Sequence, residues 1–483
     1  MLEEREIQDI IDRVRRRVGS PDPQGARRMA VQAELASPSA GQVGDGVFAR
    51  LEDAVQAASA AFRSTRLELD QRKFIIDAVR RAALDQAEAL ALLAHEETGL
   101  GRVEDKVTKN RVVAAKAPGP EDLEVQAVSG SRGMMITEFA PFGVVGAITP
   151  VTNPTSTVIN NAISIVSAGN AVVFNPHPSA RRSSNAVVRL FNRAIIAAGG
   201  PPNFVVSTAE PTIESARALM ASPDVRLLIV TGGPGVVREA LKTDKRAITA
   251  GPGNPPVVVD DTADVERAGV DIVRGASFDN NIVCTDEKIA IVVSSVADRL
   301  VRSMGQNGAY VLAEHELRRL ERVIFTELGA PGKPGHINPA WIGRDAARIL
   351  AEIGVRPAVE PRLLVAEVPA EHSLVWTEQM MPVLPVVRMP DVDRAIDLAV
   401  RAEHGFRHTA SIHSTNVEVI TRMARAMNCS IFVTNGPNFA GLGEGGEGFA
   451  SFSIASPSGD GMTRPRTFSR ERRITVVGAL RIV

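Results

Sequence analysis

Cysteine is scarce in this chain: only Cys284 and Cys429 occur among 483 residues. Two isolated cysteines cannot build the disulfide framework of a small secreted protein, and they fit a reducing cytosol. Aromatic residues make up only 4%, with a single tyrosine, which argues against recognition of bases or sugars by stacking. No apolar run reaches the length needed to cross a bilayer, and the first residues lack the basic region and apolar core of a signal peptide. We therefore expect a cytoplasmic protein with no membrane partner.

An excess of charge of one sign is also lacking, because 55 Lys and Arg residues face 56 Asp and Glu residues. A net charge of −1 creates no field that would attract nucleic acid, so we exclude nucleic acid as a partner. With 44% apolar residues and 483 residues in all, the chain is long enough for two or three domains.

Metal-binding patterns are missing as well. His404, His408 and His413 lie close together in the sequence, but no carboxylate or cysteine spacing completes a zinc site. The chain also has no G-x-S-x-G elbow and no Walker lysine loop, so serine-hydrolase and P-loop chemistry are poorly supported. We expect no metal.

The first 18 residues are predicted to form a separate amphipathic helix. Its apolar positions recur at helical spacing; they are Ile7, Ile10, Ile11, Val14 and Val18. Residues 19–46, rich in Pro and Gly, are predicted to be a flexible linker. A short tethered helix cannot bury its apolar stripe alone. Either a partner protein or a surface of its own assembly must cover it.

The rest of the sequence alternates helical segments with short apolar runs. Residues 48–126 are mostly helical in pattern, notably over 51–62 and 72–97. The apolar runs that follow, bounded by Pro, Gly or Asn, predict strands at 143–149, 171–174, 204–207, 227–230, 257–259 and 289–293. Helical segments such as 183–198 and 213–221 separate several of them. This alternation predicts α/β units around mostly parallel sheets.

The carboxyl-terminal residues, 473–483, are predicted to form a β-rich tail. No partner strand is obvious nearby in the sequence. We therefore expect this strand to pair across a subunit interface.

Three segments could carry chemistry. Cys284 closes the amide-rich stretch 277–285, where a thiol can be accessible and surrounded by donors, although a free cysteine is more often a small buried apolar residue. Asn153, in a Pro-bounded turn, could donate to an oxyanion or simply form an Asx-turn. The glycine turn 231–235 is typical of a phosphate-binding turn, but a plain strand-to-helix turn explains it equally well because the spacing is not G-x-G-x-x-G.

Several longer segments match a known family when they are taken together and in order. They are Glu96-Glu97-Thr98-Gly99-Leu100-Gly101-Arg102, Pro141-Phe142-Gly143-Val144-Val145-Gly146, Gly169-Asn170-Ala171-Val172-Val173-Phe174, Asn175-Pro176-His177-Pro178, Asp279-Asn280-Asn281 with Cys284, Glu378-Gln379-Met380-Met381-Pro382, Ala402-Glu403-His404-Gly405 and Ile454-Ala455-Ser456-Pro457-Ser458-Gly459. Over residues 46–483 the chain resembles the aldehyde dehydrogenase superfamily. More narrowly, it resembles the CoA-acylating propionaldehyde and acetaldehyde dehydrogenases of bacterial microcompartments.

The resemblance implies roles for individual residues. Cys284 matches the nucleophile that adds to the aldehyde, and Asn153 matches the amide that stabilises the oxyanion together with the backbone N–H of Cys284. Hydride transfer to the nicotinamide of NAD then leaves a thioester on Cys284. Glu378 matches the residue that holds the nicotinamide ribose. The other positions that match NAD-binding residues are Thr149, Pro150, His177, Pro178, Thr231, Gly232 and Gly251.

One residue of the family pattern is absent. Hydrolytic relatives carry a glutamate before the glycine loop 251–253, where it activates water, and here that place falls on Ala250. A thioester without this base should survive until a better nucleophile arrives, and the thiol of coenzyme A is one. The expected reaction converts a short-chain aldehyde, NAD⁺ and CoA into acyl-CoA and NADH. A hydrolytic aldehyde dehydrogenase, an acyl-phosphate reductase and an inactive cargo or scaffold protein are the alternatives.

The residues after the segment 175–178 allow two explanations that bear on cofactor preference. Arg181 and Arg182 follow the segment that matches the adenine-ribose region, where they could meet a 2′-phosphate or the 3′-phosphate of CoA. Surface charge on a helix is the simpler explanation. The resemblance favours NAD.

The resemblance also implies a domain layout. A Rossmann-type NAD-binding domain covers 47–250, with part of a β oligomerisation arm near 127–140. An α/β catalytic domain covers 251–437, and residues 438–483 form a carboxyl-terminal segment with an oligomerisation strand. Residues 1–18 match an encapsulation peptide that docks to microcompartment shell proteins. We expect a homo-oligomer, a dimer or a tetramer, inside a bacterial microcompartment.

Overall fold

The computed structural model describes residues 42–480. The predicted helix at 1–18 and most of the predicted linker, 19–46, lie outside these residues. Within 42–480 a pair of seven-stranded sheets dominates, accompanied by three small sheets. No helix in this range combines the length and the apolar character that crossing a bilayer requires.

The first large sheet is parallel apart from one edge hairpin. Its strands are β1 (Gln42–Gly44), β2 (Val47–Phe48), β5 (Val144–Thr149), β6 (Ala171–Pro176), β7 (Val205–Thr208), β8 (Val225–Thr231) and β9 (Arg246–Ala250). They are arranged in the order β1-β2-β7-β6-β5-β8-β9. Every residue of β5 and β6 is buried, as expected when helices cover both faces of a parallel sheet.

Eight α-helices of the described residues belong to this half of the chain. They are α1 (Leu51–Ser64), α2 (Leu69–Asp85), α3 (Ala87–Thr98), α4 (Val103–Lys116), α5 (Pro154–Ser167), α6 (Arg181–Ala197), α7 (Ile213–Ala221) and α8 (Pro234–Leu241). The helix predicted over 72–97 is in fact two helices that meet at Gln86, whose backbone angles are φ −104° and ψ 8°. Apolar residues continue across the break, so periodicity alone does not reveal it.

The second large sheet is parallel throughout. Its strands are β10 (Pro256–Val259), β11 (Ile289–Val293), β12 (Ala309–Val311), β15 (Leu363–Glu367), β16 (Val383–Met389), β17 (Thr409–His413) and β18 (Ile431–Thr434). They are arranged in the order β12-β15-β16-β11-β10-β17-β18. The helices of this half are α9 (Val265–Ala276), α10 (Ser294–Gln306), α11 (Glu314–Ile324), α12 (Ala346–Glu352), α13 (Ser373–Trp376), α14 (Val392–Ala402) and α15 (Val417–Met427).

The remaining strands form small antiparallel sheets. The larger one pairs β3 (Gln126–Gly130), β4 (Gly133–Pro141) and β21 (Ser469–Val477). Two short hairpins join β13 (Phe325–Glu327) to β14 (His336–Ile337) and β19 (Ile454–Ala455) to β20 (Gly461–Met462).

The structure gives the carboxyl-terminal strand a partner within the chain and shortens the predicted linker. The tail strand β21 pairs with β4 of its own chain, from Ser469 opposite Pro141 to Val477 opposite Gly133. The partner lies more than 300 residues earlier in the sequence, where local pattern gives no sign of the pairing. β21 is an edge strand of its sheet, and pairing of its other edge across a subunit interface stays a prediction. The linker predicted for 19–46 also ends early, because β1 pairs with β2 at the sheet edge.

The two halves meet around the segment that contains Cys284. One apolar core surrounds the first sheet, and Phe278 and Val283 belong to it even though they precede β11 of the second sheet. Two further cores cover the two faces of the second sheet. The carboxyl-terminal residues Phe439, Phe452 and Phe468 also pack into the first core. The Cys284 segment is thus held between both halves.

Candidate active site

A sharply turned loop carries Cys284 to its position. Three successive residues, Asp279, Asn280 and Asn281, adopt positive φ angles of 45°, 55° and 62°. Asp and Asn tolerate this left-handed conformation better than other residues with a side chain. The Asp-Asn-Asn sequence therefore has a local structural reason, since it turns the chain just ahead of the thiol.

Lys288 holds this loop from within. Its fully buried ammonium group donates to the carbonyl of Asn281 at 2.6 Å, to the side-chain oxygen of Asn281 at 2.5 Å and to the carbonyl of Val283 at 3.2 Å. The amide of Asn281 in turn donates to the carbonyls of Ala276 and Glu287. Three oxygen partners offset the cost of burying a charge, and they fix the backbone directly before Cys284.

The surroundings of Cys284 keep its thiol protonated at rest. Burial, reinforced by the negative charge of Glu378, raises the pKa of the thiol to about 12, while Lys288 opposes the shift. Asp286 adds a smaller upward contribution to this pKa. A thiol with so high a pKa needs a proton acceptor when it attacks a carbonyl.

Gly253 allows close approach beside the thiol. A Cβ atom there would lie 2.6 Å from the carbonyl oxygen of Cys284 and 3.2 Å from Cγ of His408. The backbone N–H of Gly253 donates to Glu378 at 3.3 Å, and burial raises the pKa of this carboxyl. The structure thus brings Cys284, Gly253, Glu378 and His408 together, and only glycine fits at the centre.

Sequence reasoning missed His408, because it considered the three nearby histidines only as metal ligands. His408 is buried, its Nδ1 lies 2.8 Å from Oγ1 of Thr409, and its Nε2 has no partner among the described residues. Burial, with a smaller effect of Lys288, lowers its pKa to about 4, so the ring is neutral at physiological pH. His404 instead contacts the carbonyl of Trp376. The available signal was the position of His408 directly before a buried strand.

Asn153 lies at the start of α5, where its side chain does not cap the helix. Its Oδ1 accepts a hydrogen bond from Nζ of Lys109 at 2.6 Å, and its Nδ2 donates to Oγ1 of Thr152 at 3.2 Å. The Asx-turn explanation is therefore not what the structure has. Within the described part of the chain, one of the two amide hydrogens of Nδ2 stays available for another acceptor.

The other predicted cofactor-binding residues gather at the carboxyl ends of neighbouring strands. Thr149 ends β5 and Thr231 ends β8, which lies beside it, while β6 and β9 flank the pair. Strand order reverses between β5 and β8, and dinucleotides bind in open α/β sheets at such a switch point. Pro150, His177, Pro178, Gly232 and Gly251 directly follow these four strand ends.

A family model describes most of this chain. The model of the aldehyde dehydrogenase family matches residues 23–318 and 354–450. The chain belongs to the aldehyde dehydrogenase family.

Individual members of the family are close in sequence. The acetaldehyde dehydrogenase (acetylating) EutE of Escherichia coli is 51% identical over 92% of this chain and 96% of its own length. The propanal dehydrogenase (CoA-propanoylating) of Salmonella typhimurium is 42% identical over 94% of this chain and 98% of its own length.

Solved structures of similar proteins share the fold. The propionaldehyde dehydrogenase of Rhodopseudomonas palustris, solved with bound CoA and an acylated cysteine, superimposes with a TM-score of 0.88 at 45% identity, covering 91% of this chain and 100% of that chain. A propionaldehyde dehydrogenase from the fucose utilisation microcompartment of Clostridium phytofermentans gives 0.88 at 43% identity, with the same coverage. The expected aldehyde dehydrogenase-like α/β fold is confirmed.

Position 250 of this aldehyde dehydrogenase, where the resemblance to the family leads us to expect the water-activating glutamate of hydrolytic relatives, carries an alanine. Ala250 ends β9, is only 3% exposed, and accepts the backbone N–H of Gly232 through its carbonyl. The thiol nevertheless has acidic neighbours in Glu378 and Asp286. Asp286 is buried and accepts the N–H of Val283, so it holds the loop.

The Arg181 side chain and the backbone N–H of Arg182, at the start of α6, have carboxylate partners in this aldehyde dehydrogenase. The side chain of Arg181 pairs with Glu210 at 2.6 Å. The carboxylate of Glu97 accepts the backbone N–H groups of Arg182 and Ser183, each at 2.7 Å. The helix N-terminus that a phosphate would need is therefore taken by a carboxylate.

Proposed function

We propose that this chain is a CoA-acylating aldehyde dehydrogenase that converts a short-chain aldehyde, NAD⁺ and CoA into acyl-CoA and NADH. The observation that carries the proposal is the pairing of a loop-presented thiol at Cys284 with an alanine at position 250, where a water-activating acid would otherwise lie. Relatives named for acetylating and propanoylating activity support it.

Cys284 and Asn153 perform the first step in this proposal. The sulfur of Cys284 adds to the aldehyde carbon, and the carbonyl oxygen becomes an oxyanion. The free amide hydrogen of Asn153 and the backbone N–H of Cys284 donate to that oxyanion. NAD, when bound, supplies the hydride acceptor, and the acyl group stays on Cys284 as a thioester. The thiol of CoA then displaces Cys284.

We propose His408 as the base that accepts the proton of a thiol. Its imidazole is neutral and one nitrogen has no partner among residues 42–480. A Cβ atom added at Gly253 would lie 3.2 Å from Cγ of His408 and 2.6 Å from the carbonyl oxygen of Cys284, so the ring lies close to the Cys284 segment. A neutral imidazole can accept a proton in the transition state although its equilibrium pKa is low.

Dependence on CoA separates this function from the hydrolytic alternative. We expect NADH to form at full rate only when aldehyde, NAD⁺ and CoA are all present, with acyl-CoA as the product. Cys284→Ala should abolish turnover, whereas Cys429→Ala, which changes the other cysteine, should leave it near wild type. Free acid formed at full rate without CoA would contradict the proposal. Formation of an acyl phosphate that depends on inorganic phosphate would favour the alternative of an acyl-phosphate reductase.

We propose NAD as the preferred cofactor, held by Glu378 and by the residues at the switch point: Thr149, Pro150, His177, Pro178, Thr231, Gly232 and Gly251. The carboxylates of Glu97 and Glu210 near the start of α6 would repel the 2′-phosphate of NADP. Comparison of the specificity constants for NAD⁺ and NADP⁺ tests this preference, and equal constants would contradict it.

We also propose the domain layout 47–250, 251–437 and 438–483, with oligomerisation through the sheet of β3, β4 and β21. The strands of the second large sheet all fall within 251–437. On the small sheet, Val128, Ile474 and Val477 are exposed apolar residues, which suits a surface covered by another subunit. Light scattering should show a dimer or a tetramer. Ile474→Lys should weaken the association of the subunits and lower the measured mass.

Residues 1–18 are proposed to dock to a shell protein of a bacterial microcompartment, joined by the linker that starts at residue 19. Support comes from the apolar stripe in the sequence and from the microcompartment origin of a similar structure. Deleting residues 1–18 should abolish association with shells while turnover stays near wild type. Loss of turnover instead would show that the segment is structural.

A further inference from the structure

Lys109 touches both sides of the proposed reaction centre. It lies on α4, and its buried ammonium group donates to Oδ1 of Asn153 at 2.6 Å. The same group donates to Oδ2 of Asp279 on the loop that leads to Cys284. Asn153 belongs to the first sheet's β5–α5 turn, so Lys109 links the oxyanion amide directly to the nucleophile loop.

Lys106 provides a natural comparison one turn earlier on the same helix. Its ammonium group is equally buried and lies 3.0 Å from Oδ2 of Asp279, but within residues 42–480 it makes no hydrogen bond to Asn153. Asp279 also accepts the backbone N–H of Arg102 at 2.6 Å. If Lys109 is replaced, Asp279 of the loop keeps its contacts with Lys106 and with the N–H of Arg102. The oxygen of the Asn153 amide, in contrast, loses the Lys109 donor.

The chemistry of the two side chains settles which way the amide points. An ammonium group has three donors and no acceptor, so it can face only the oxygen of an amide. With Oδ1 turned to Lys109, the NH₂ group must point the other way. A flipped amide would present its oxygen to a developing oxyanion, where two partial negative charges would repel each other.

We propose that Lys109 is a positioning residue, one that orients the Asn153 amide as a donor and ties it to the loop of Cys284. This inference rests on the proposed role of Asn153 in the reaction. Two buried ammonium groups share the carboxylate of Asp279, so the cluster also places positive charge behind the amide.

A double-mutant cycle tests the inference. Asn153→Ala should lower kcat by about 10²–10³, the usual loss for one oxyanion donor. Lys109→Met should lower kcat by about 10–100-fold with little change in KM, because it leaves the amide free to flip. In the Asn153→Ala background, Lys109→Met should cost less than about threefold more, since no amide remains to be oriented.

Lys106→Met is the matched control. Lys106 contacts Asp279 but not Asn153. Lys106→Met should therefore change kcat by the same factor with and without the Asn153 amide. If Lys109→Met lowers kcat by the same factor with and without the Asn153 amide, the inference is overturned and the proposed function stays intact. A nearly unchanged kcat in Asn153→Ala alone would instead remove Asn153 from the proposed mechanism. Should Lys109→Met fail to fold, Lys109→Gln, shorter and neutral, takes its place in the cycle.

Discussion

At the scale of single residues, charge and burial around Cys284 work against an ionised thiol. Buried Lys288 is a cation whose charge favours the thiolate, while Glu378 and Asp286 disfavour it. A protonated thiol reacts more slowly than a thiolate with oxidants and with electrophiles. Reactivity must come from a base or from a change of local charge.

Replacing Glu378 by Gln should make the thiol more reactive. The negative charge of Glu378 raises the pKa of Cys284, so its removal lowers that pKa and moves the alkylation profile to lower pH. We expect the rate of reaction with iodoacetamide at pH 8 to rise about three- to tenfold, because a larger fraction of the thiol is ionised. Cofactor binding should weaken at the same time.

Iodoacetamide can also react with Cys429, the other thiol, whose pKa burial raises to about 11. Alkylation that disappears in the Cys284→Ala variant therefore belongs to Cys284. A profile that stays in place or moves to higher pH in the Glu378→Gln variant would contradict the electrostatic account.

At the scale of elements, helix α9 is shaped to receive a buried acid from the segment after Cys284. Gly275 faces Glu287, and a Cβ atom at Gly275 would lie 2.1 Å from Oε2 of that residue. The other oxygen of Glu287 accepts the N–H of Asn438 at 2.8 Å. Burial raises the pKa of Glu287 to about 8, so the acid is largely protonated at neutral pH.

Gly275→Ala should destabilise the protein by roughly 1–3 kcal/mol, since the added methyl group overpacks the contact with Glu287. Gly305→Ala, in α10, is the matched control: its Cβ would meet only Val311, at 3.8 Å. The control should be neutral or stabilising by up to about 1 kcal/mol, because alanine is the better helix former. Urea unfolding of the two variants measures the difference. Equal effects would show that the contact with Glu287 is unimportant.

At the scale of the whole molecule, folding buries titratable groups along the second large sheet. His408 directly precedes β17 and His413 ends it, and both are buried. Burial lowers the pKa of His413 to about 4, with Arg267 acting in the same direction and Asp264 against it. Both histidines are therefore neutral in the folded protein at pH 7.

Acid should weaken the fold through these histidines. The unfolded chain binds a proton at each one below about pH 6.5, whereas the folded protein resists until about pH 4. The stability that neutral His413 contributes is therefore complete above pH 6.5 and is lost as the pH falls to 4. This lowering of the His413 pKa corresponds to an unfolding free energy on the order of 3 kcal/mol.

His413→Gln should reduce the loss of unfolding free energy between pH 7 and pH 4.5 by about 2 kcal/mol, since glutamine does not titrate. Denaturant unfolding at the two pH values measures this difference. An unchanged pH dependence in the variant would show that His413 is not kept neutral by the fold.

Strands with continuous apolar runs are well predicted, and the reason is local. The runs at 227–230 and 289–293 correspond to β8 and β11, and the helix predicted over 213–221 is α7. Each is encoded by apolar residues between clear Gly, Pro or polar boundaries. The break at Gln86 and the β21–β4 pairing escape such patterns, because packing against distant elements decides both.

The amino-acid sequence alone was enough to indicate the family, the nucleophile segment and the missing acid at Ala250. The reason is that the Asp-Asn-Asn turn and the strand-end segments are properties of consecutive residues. Only tertiary structure decided that Lys109 reaches Asn153 across 44 residues and Asp279 across 170, and that His408 lies near Gly253. Such contacts depend on how two sheets and a helix pack, and buried charges acquire their partners and pKa values only there.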